Sequence, residues 1–268
     1  MRSNKKRLDI ILVEKGLASS RMQAQALIQS GSVRICGELA DKPGHTYSED
    51  SAVTVLSPPH AFASRGGLKL ERALAVFGVP LLDRAVLDVG ASTGGFTDCA
   101  LQHGARCVMA VDVGKGQLAW KLRQDERVQV LEKTNVRYLT AAQLRELPDA
   151  AVVDVSFISL SLVLPVLNVI LPSRADVIAL IKPQFEAGKA EAARGEGVIR
   201  DPAIHRSVIS QVLQVAHKLG WGLNGLTHSP LKGPEGNIEF LAWWKTASSD
   251  VGVTDIHQVV EEAHRGVG

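Results

Sequence analysis

The 268-residue chain is poor in sulfur and aromatic rings and carries no dominant charge. Only three cysteines occur, Cys36, Cys99 and Cys107. Their odd number argues against a secreted disulfide framework, and their spacing matches no metal-ligand motif. Aromatic residues make up 4% of the chain, and Tyr47 alone precedes Phe62. No apolar run reaches the roughly 18 residues of a spanning helix. The nearest, Leu160–Leu171, is interrupted by Ser161, Pro165 and Asn168. The basic start Met1–Arg7 runs into Asp9 and Glu14 rather than into an apolar signal core. The expectation is a reduced, soluble, cytoplasmic protein.

Thirty Lys and Arg against 28 Asp and Glu leave a formal charge of +2. Residues 1–69 hold ten basic and six acidic groups, so residues 70–268 hold twenty and twenty-two. A +4 front on a −2 body points to a polyanion contact at the N-terminal end. With 46% hydrophobic and 22% charged residues the composition is that of a folded domain rather than a disordered chain. At about 150 residues per domain, the length allows one or two.

Leu8, Ile11, Leu12 and Leu17 lie at near-helical spacing, with Gly16 as a stop. Ser19 or Ser20 offers the next N-cap, Gln23 standing in capping-box position to Ser20, and that helix ends at Gly31. Val33–Ile35 and Ala52–Leu56 read as strands. Ser57-Pro58-Pro59-His60 reads as a stiff linker, because paired prolines favour an extended connection. The predicted division is therefore a small α+β domain over 1–57, a linker over 58–64, a second domain over 65–247, and a loosely held tail over 248–268.

Beyond the linker, apolar runs alternate with amphipathic stretches. Strands are expected at Ala85–Val89, Cys107–Val113, Val128–Leu131, Ala150–Val155 and Val177–Ile181. Helices are expected at about Gly94–His103, Gly116–Arg123, Ala141–Leu147, Leu160–Leu171 and Ala203–Leu219. Continuous apolar strands joined by helices specify a mostly parallel sheet covered on both faces. Leu223–Thr227 and Ile238–Trp244 have no helix between them and form an antiparallel pair at the far side of the sheet.

The sharpest motif is Val86-Leu87-Asp88-Val89-Gly90-Ala91-Ser92-Thr93-Gly94-Gly95-Phe96-Thr97, an apolar strand feeding a small-residue turn that opens a helix. Glycines there permit close approach to the backbone, and the free N–H groups of the helix start face the turn. Asp112 closes the next strand, where a carboxylate can accept both hydroxyls of a ribose. Ser92 stands where a dinucleotide fingerprint requires its second glycine, so the loop suits an adenosine-type cofactor better than a dinucleotide. Three more ionisable groups fall at strand ends: Asp154 in Val153–Phe157, Lys182 in Ile181–Phe185, and Glu239 before the last strand. In an open parallel sheet such ends converge beside the ligand.

These blocks, with Arg7-Leu8-Asp9, Ser64–Leu70 and Gly236–Phe240, resemble the TlyA-type ribosomal RNA 2′-O-methyltransferases, also called haemolysin-like. The second domain is similar to FtsJ-type RNA methyltransferases. The first resembles the αL RNA-binding domain of pseudouridine synthases and bacterial tyrosyl-tRNA synthetases. The resemblance implies a Rossmann-like class I methyltransferase with an antiparallel last strand behind a small RNA-binding domain. It implies methyl transfer from S-adenosylmethionine to a ribose 2′-hydroxyl of ribosomal RNA or ribosomal subunits, at cytidine, with no metal and no membrane.

The family's Lys–Asp–Lys–Glu tetrad falls on Lys69, Asp154, Lys182 and Glu239. On this reading Lys182 orients the ribose hydroxyl and accepts its proton, Asp154 holds Lys182, and Lys69 and Glu239 position the ribose and its partner lysine. Without the resemblance, Lys69 reads as a surface lysine on an amphipathic helix. The implied cofactor contacts are Asp88, Gly90, Ala91, Ser92, Gly94, Gly95, Phe96, Asp112 and Asn135, the last in place of an acidic adenine contact. The implied RNA contacts are Lys6, Arg7, Arg21, Arg34 and Arg65, whose contacts to phosphate would be salt-sensitive and shape-based. Glu186–Asp201, rich in Gly, Ala and charge, reads as a mobile flap beside the RNA site, with an ordinary exposed loop as the competing reading. Three other readings compete: a nicotinamide-dependent oxidoreductase, which the missing glycine disfavours; a non-catalytic ribosome-assembly factor, which Lys182 and Asp154 disfavour; and a pore-forming haemolysin, which needs an inserting segment the sequence lacks.

Overall fold

The computed structural model describes residues 5–18, 21–29, 31–55, 61–188, 195, 197–233, 235–250 and 255–266. The front module contains β1 (Lys5–Arg7), α1 (Leu8–Glu14), α2 (Arg21–Gln29), β2 (Val33–Ile35), β3 (Glu38–Leu39), β4 (Thr46–Ser48) and β5 (Val53–Val55). Leu8 and Leu12 of α1 pack on Ala24 and Ile28 of α2 and on Val33 and Ile35 of β2, all buried. Gly16 and Gly31 follow the two helices with φ of +69° and +75°, where an L side chain would be strained. Strand β2 runs between β3 and β5, and β1 pairs with β4. The expected serine caps at 19 and 20 lie outside the described residues, as do residues 56–60, which include positions 58–60 of the expected linker.

The larger body starts with α3 (Gly67–Phe77), followed by β6 (Ala85–Val89), α4 (Gly95–Gln102), β7 (Cys107–Val111), α5 (Trp120–Arg123), β8 (Val128–Leu131), β9 (Ala150–Val153), α6 (Leu160–Ile170), β10 (Asp176–Ile181) and α7 (Pro183–Glu186). It closes with α8 (Pro202–Lys218), β11 (Gly222–His228), β12 (Phe240–Lys245) and α9 (Ile256–Gly266). The seven body strands form one sheet in the order β8-β7-β6-β9-β10-β12-β11. Parallel pairing runs from β8 to β10, and β12 lies antiparallel between β10 and β11. The five parallel strands are mostly apolar because both faces are covered, with Asp88, Gln129 and Asp176 as their polar residues. Leu87 and Val89 face the core built with α6, α8 and α9, and Val86 faces the one built with α3, α4 and α5.

Several expected elements change. The helix at 116–123 shrinks to Trp120–Arg123, and the one at 141–147 to a single 3-10 turn at Ala141–Gln143. Side chains divert the second: Gln143 folds back onto the Thr140 N–H, and Gln129 accepts the Arg145 N–H. Strands end at Val111 and Val153 rather than at 113 and 155. The tail is not loosely held over its length. Residues 256–266 form α9, which buries Val260 and Ala263 in the core and is capped by Asp255 accepting from the His257 N–H. The start of the body also departs from a stiff spacer, since Phe62 is buried and its ring occupies the space a Cβ on Gly67 would need.

Candidate active site

Strand order reverses between β6 and β9, and the carboxyl ends of those strands form one corner of a cleft of about 750 Å³. That volume is within the roughly 300–1,000 Å³ typical of small-molecule sites, and this is where open α/β sheets bind ligands. Gly90 opens the turn after β6 with φ +88°, and a Cβ there would lie 2.4 Å from the Asp154 carbonyl oxygen. Its lack of a side chain lets the β6 and β9 loops touch.

Of the nine expected cofactor contacts, four line the cleft: Gly90, Ser92, Asp112 and Asn135. The Asp112 carboxylate accepts the Ser92 N–H at 2.8 Å and the Gly114 N–H at 2.6 Å. It is thereby fixed at the end of β7, and each oxygen keeps acceptor capacity for a ribose hydroxyl. Asn135 Oδ1 accepts the Arg137 N–H at 3.1 Å, which leaves its amide N–H₂ to donate to an adenine ring. Val136, Ile158 and Leu162 supply apolar wall. Acidic, amide and apolar surfaces in this arrangement fit an adenosine moiety.

The other five lie behind that wall. A Cβ on Gly94 would collide with Leu122 and Leu118, and one on Gly95 with Ser64 and the start of α3, so these glycines serve helix packing. Ala91 and Phe96 are buried in the same core. Asp88 is fully buried: Oδ2 accepts the Thr97 hydroxyl at 2.5 Å, and Oδ1 has no partner among the described residues. Burial raises its carboxyl to about 7.

The four tetrad residues arrive from four elements. Lys69 is on the buried face of α3, with Leu70, Ala73 and Leu74, rather than at the surface. Its Nζ meets Glu239 Oε2 at 2.5 Å, with side-chain exposures of 8% and 1%. Lys182 follows the last residue of β10, and Glu239 precedes the first of β12. The Ile181–Phe240 register therefore sets these two positions opposite each other across the antiparallel pair. Asp154 follows β9 and pairs with Lys182 Nζ at 2.6 Å, at the cleft rim. The start of α3 closes the group, since a Cβ on Gly66 would stand 4.0 Å from Asp154 Oδ2.

Three neighbours had no assigned role in the sequence. Ser156 Oγ accepts from Lys182 Nζ at 2.9 Å. Phe157 is 90% exposed in a left-handed conformation (φ +62°) on the cleft wall, with its ring 4.9 Å from that of Phe185. The Phe185 ring lies 5.9 Å from Lys182 Nζ. Their signal was the Ser-Phe and Gln-Phe pairs, each beginning three residues after a strand end.

The expected RNA contacts divide differently. The Asp9 carboxylate, fully buried, receives Nε and Nη2 of Arg7, Nη2 of Arg21 and the Gln25 amide. The Arg7 guanidinium, first among these, holds the Asp9 carboxyl well below the usual range. Arg7 and Arg21 remain about half exposed. Arg34 is exposed and donates to the Gly37 carbonyl, and Arg65 is exposed one helical turn before Lys69. Lys6 does not present a free charge, because Glu14 and Glu49 both pair with its ammonium, at 2.9 and 2.7 Å. No helix among the described residues is long and apolar enough to cross a membrane, and none of their His, Cys, Asp and Glu side chains gather into a metal-binding group.

Numbered along the chain, the seven body strands run 3-2-1-4-5-7-6 with the seventh antiparallel. With the cleft at the reversal, they define a Rossmann-like methyltransferase. A family model for FtsJ-like methyltransferases matches residues 62–246, and a model for the S4 domain matches residues 6–53. The chain belongs to the FtsJ-like methyltransferase family. It is 46% identical over 262 residues to the 16S/23S rRNA (cytidine-2′-O)-methyltransferase TlyA of Mycobacterium tuberculosis (strain ATCC 25618 / H37Rv), covering 96% of this chain and 97% of that protein. It is 48% identical to YqxC of Bacillus subtilis (strain 168), described as a candidate rRNA methyltransferase, over 99% of this chain and 96% of that one. A solved structure from Streptococcus thermophilus, described as a candidate hemolysin, shares 44% identity and a TM-score of 0.78 over 98% and 97% of the two chains.

Proposed function

We propose that this protein transfers a methyl group from S-adenosylmethionine to a ribose 2′-hydroxyl of ribosomal RNA, with cytidine as the target nucleoside. The observation that carries the reading is the Asp154–Lys182 pair, whose carboxylate lines an adenosine-sized cleft, with a second buried pair, Lys69–Glu239, brought beside it by the register of β10 and β12. Gly90, Ser92, Asp112 and Asn135 would hold the cofactor, which when bound supplies a methyl group already activated on a sulfonium.

The chain's own residues have two tasks, to place the hydroxyl and to take its proton. Lys182 Nζ lies 2.6 Å from the Asp154 carboxylate and donates to Ser156 Oγ at 2.9 Å, and both partners line the cleft. As an unprotonated amine, Lys182 would take the 2′-hydroxyl proton while the methyl carbon bonds to the 2′-oxygen and parts from the sulfonium sulfur, and Asp154 would balance the ammonium so formed. Lys69 and Glu239, locked to each other, would position the ribose and Lys182 from behind. Placement accounts for most of the acceleration. The exposed Phe157 ring offers a stacking face for a base turned out of its helix.

Arg7, Arg21, Arg34 and Arg65 supply the phosphate contacts, with the module ending near residue 57 and catalysis confined to residues 65–247. The matched intervals 6–53 and 62–246 support that division.

Transfer of labelled methyl to ribosomal subunits and to naked ribosomal RNA tests the reading, with Lys182→Ala run beside wild type. The expected result is label at a ribose 2′-oxygen that vanishes in the variant. Label on a base, or label retained by Lys182→Ala, would overturn it.

A further inference from the structure

Two loops carry the Lys182–Asp154 pair: residues 154–159 after β9, and residues 182–186 in and before α7. Four contacts join them along their length. Asp154 pairs with Lys182, Ser156 accepts from Lys182, Phe157 packs on Phe185, and the far end is closed by Glu186. Glu186 Oε2 accepts the Ser159 hydroxyl at 2.6 Å, and Oε1 accepts the Leu160 N–H at 2.8 Å. Ser159 caps α6, so this carboxylate also sits against the positive end of an 11-residue helix. Burial raises its carboxyl above the usual range.

The proton-handling scheme above gives Glu186 no task. We propose that Glu186 is a positioning residue for methyl transfer, a clamp that holds the Ser156-Phe157 loop against the Lys182 loop so that Lys182 Nζ keeps its orientation. The reason is mechanical. Phe157 is a bulky residue in a left-handed conformation, which persists only when its surroundings over-determine it. Lys182 fixes one side of that residue through Ser156, and Glu186 fixes the other through Ser159 and Leu160. With the second anchor removed, Phe157 relaxes toward ordinary backbone geometry and carries Ser156 away from Lys182.

This inference rests on the methyltransferase reading, and the experiment separates the two. Full-length wild type, Glu186→Ala, Glu186→Gln and Leu167→Ala are compared for methyl transfer to ribosomal RNA. Leu167→Ala loosens the same helix from the core side, where Leu167 is fully buried. The expected result for Glu186→Ala is a kcat about 10- to 100-fold lower, as for a displacement of about 1 Å near the reacting atoms. The KM for RNA and the affinity for S-adenosylhomocysteine stay within about threefold, and the pH profile of kcat shifts. Glu186→Gln recovers most of the rate, since an amide oxygen still accepts from Leu160 and its N–H₂ can donate to Ser159.

An unchanged kcat in folded Glu186→Ala would overturn the clamp. So would an equal kcat loss in Leu167→Ala, or a Gln variant as slow as Ala. Should Glu186→Ala fail to fold, Ser159→Ala removes one anchor alone. It should then lower kcat severalfold, and full activity would overturn the proposal. A wild type that transfers no methyl to RNA overturns the functional reading instead.

Discussion

Lys69 and Glu239 stand 170 residues apart and meet in the interior, so no local pattern joins them. A lysine on an amphipathic stretch is normally solvated, and the side-chain sequence of α3 gives no reason to place this one inward. Family resemblance located it; the structure supplies the cause, a carboxylate arriving from the antiparallel strand. The two lysines predict different penalties. Lys69→Ala strands Glu239 at 1% exposure, and breaking a buried pair costs about 3–5 kcal/mol. Lys182→Ala leaves Asp154 at 20% exposure, where water can reach it. Thermal denaturation should therefore show a fall for Lys69→Ala on the order of 10 °C and a much smaller one for Lys182→Ala. Both should lack methyl transfer. Equal thermal shifts would contradict the difference in burial. At the same scale, the nine residues of the glycine-rich motif, its neighbouring strand and Asn135 were legible as a group but not individually. Backbone spacing identifies a ligand-binding turn, yet only the fold separates Gly90 on the cleft from Gly94 and Gly95, which admit neighbouring helices.

Among the elements, the parallel strands were legible because burial on both faces keeps them mostly apolar, Asp88 and Gln129 being the polar residues within them. The short helices were not, since their N–H groups are satisfied by side chains that periodicity does not register. Helix α9 had a readable signal in Ile256, Val259, Val260 and Ala263, masked by the polar residues between them. Two predictions belong here. Gly90→Ala combines a positive φ with a Cβ 2.4 Å from the Asp154 carbonyl, so it should cost more than the roughly 1–3 kcal/mol of backbone strain alone. Calorimetry should show a Tm several degrees lower, with weakened S-adenosylhomocysteine binding, because the β6 and β9 loops are pushed apart.

The second concerns how α9 is held. His205 of α8 is fully buried, its Nδ1 3.0 Å from His264 Nε2 on α9 and its Nε2 3.1 Å from the Ile199 carbonyl. Burial, with His264 and against Asp201, lowers it to about 4 from an ordinary 6.5. Above pH 6.5 neither folded nor unfolded His205 is protonated. As pH falls, the unfolded chain takes up the proton first, so stability is lost progressively between about 6.5 and 4, by up to about 3 kcal/mol. Denaturant melts across that window should be steeper in pH for wild type than for His205→Gln, whatever the variant's absolute stability. Parallel slopes would assign the acid sensitivity elsewhere.

For the whole molecule, the +2 net charge conceals a division of labour that becomes visible only when the charges are sorted by partner. In the front module Lys6 is neutralised by Glu14 and Glu49, whereas Arg7 and Arg21 share one buried carboxylate and still present about half of each side chain to solvent. Two guanidinium groups held by one fixed carboxylate would meet a phosphate preorganised, since little side-chain entropy remains to be lost on binding. Counting basic residues could find the module but not the distinction, because Lys6 and Arg7 are adjacent in sequence and equal in formal charge. The consequence is measurable. Arg7→Ala and Arg21→Ala should each weaken ribosomal RNA binding and reduce the slope of log K against log salt by about 1, as expected when one fewer phosphate is neutralised. Lys6→Ala should change neither by a comparable amount. Calorimetric affinity for S-adenosylhomocysteine should be unchanged in all three, because the cofactor cleft is built wholly from Val89 and residues after it. A Lys6 variant as weak as the arginine variants would mean that its pairing with Glu14 and Glu49 opens when RNA arrives. Loss of cofactor affinity in any of them would mean that the module holds the cleft in shape as well as the RNA in place.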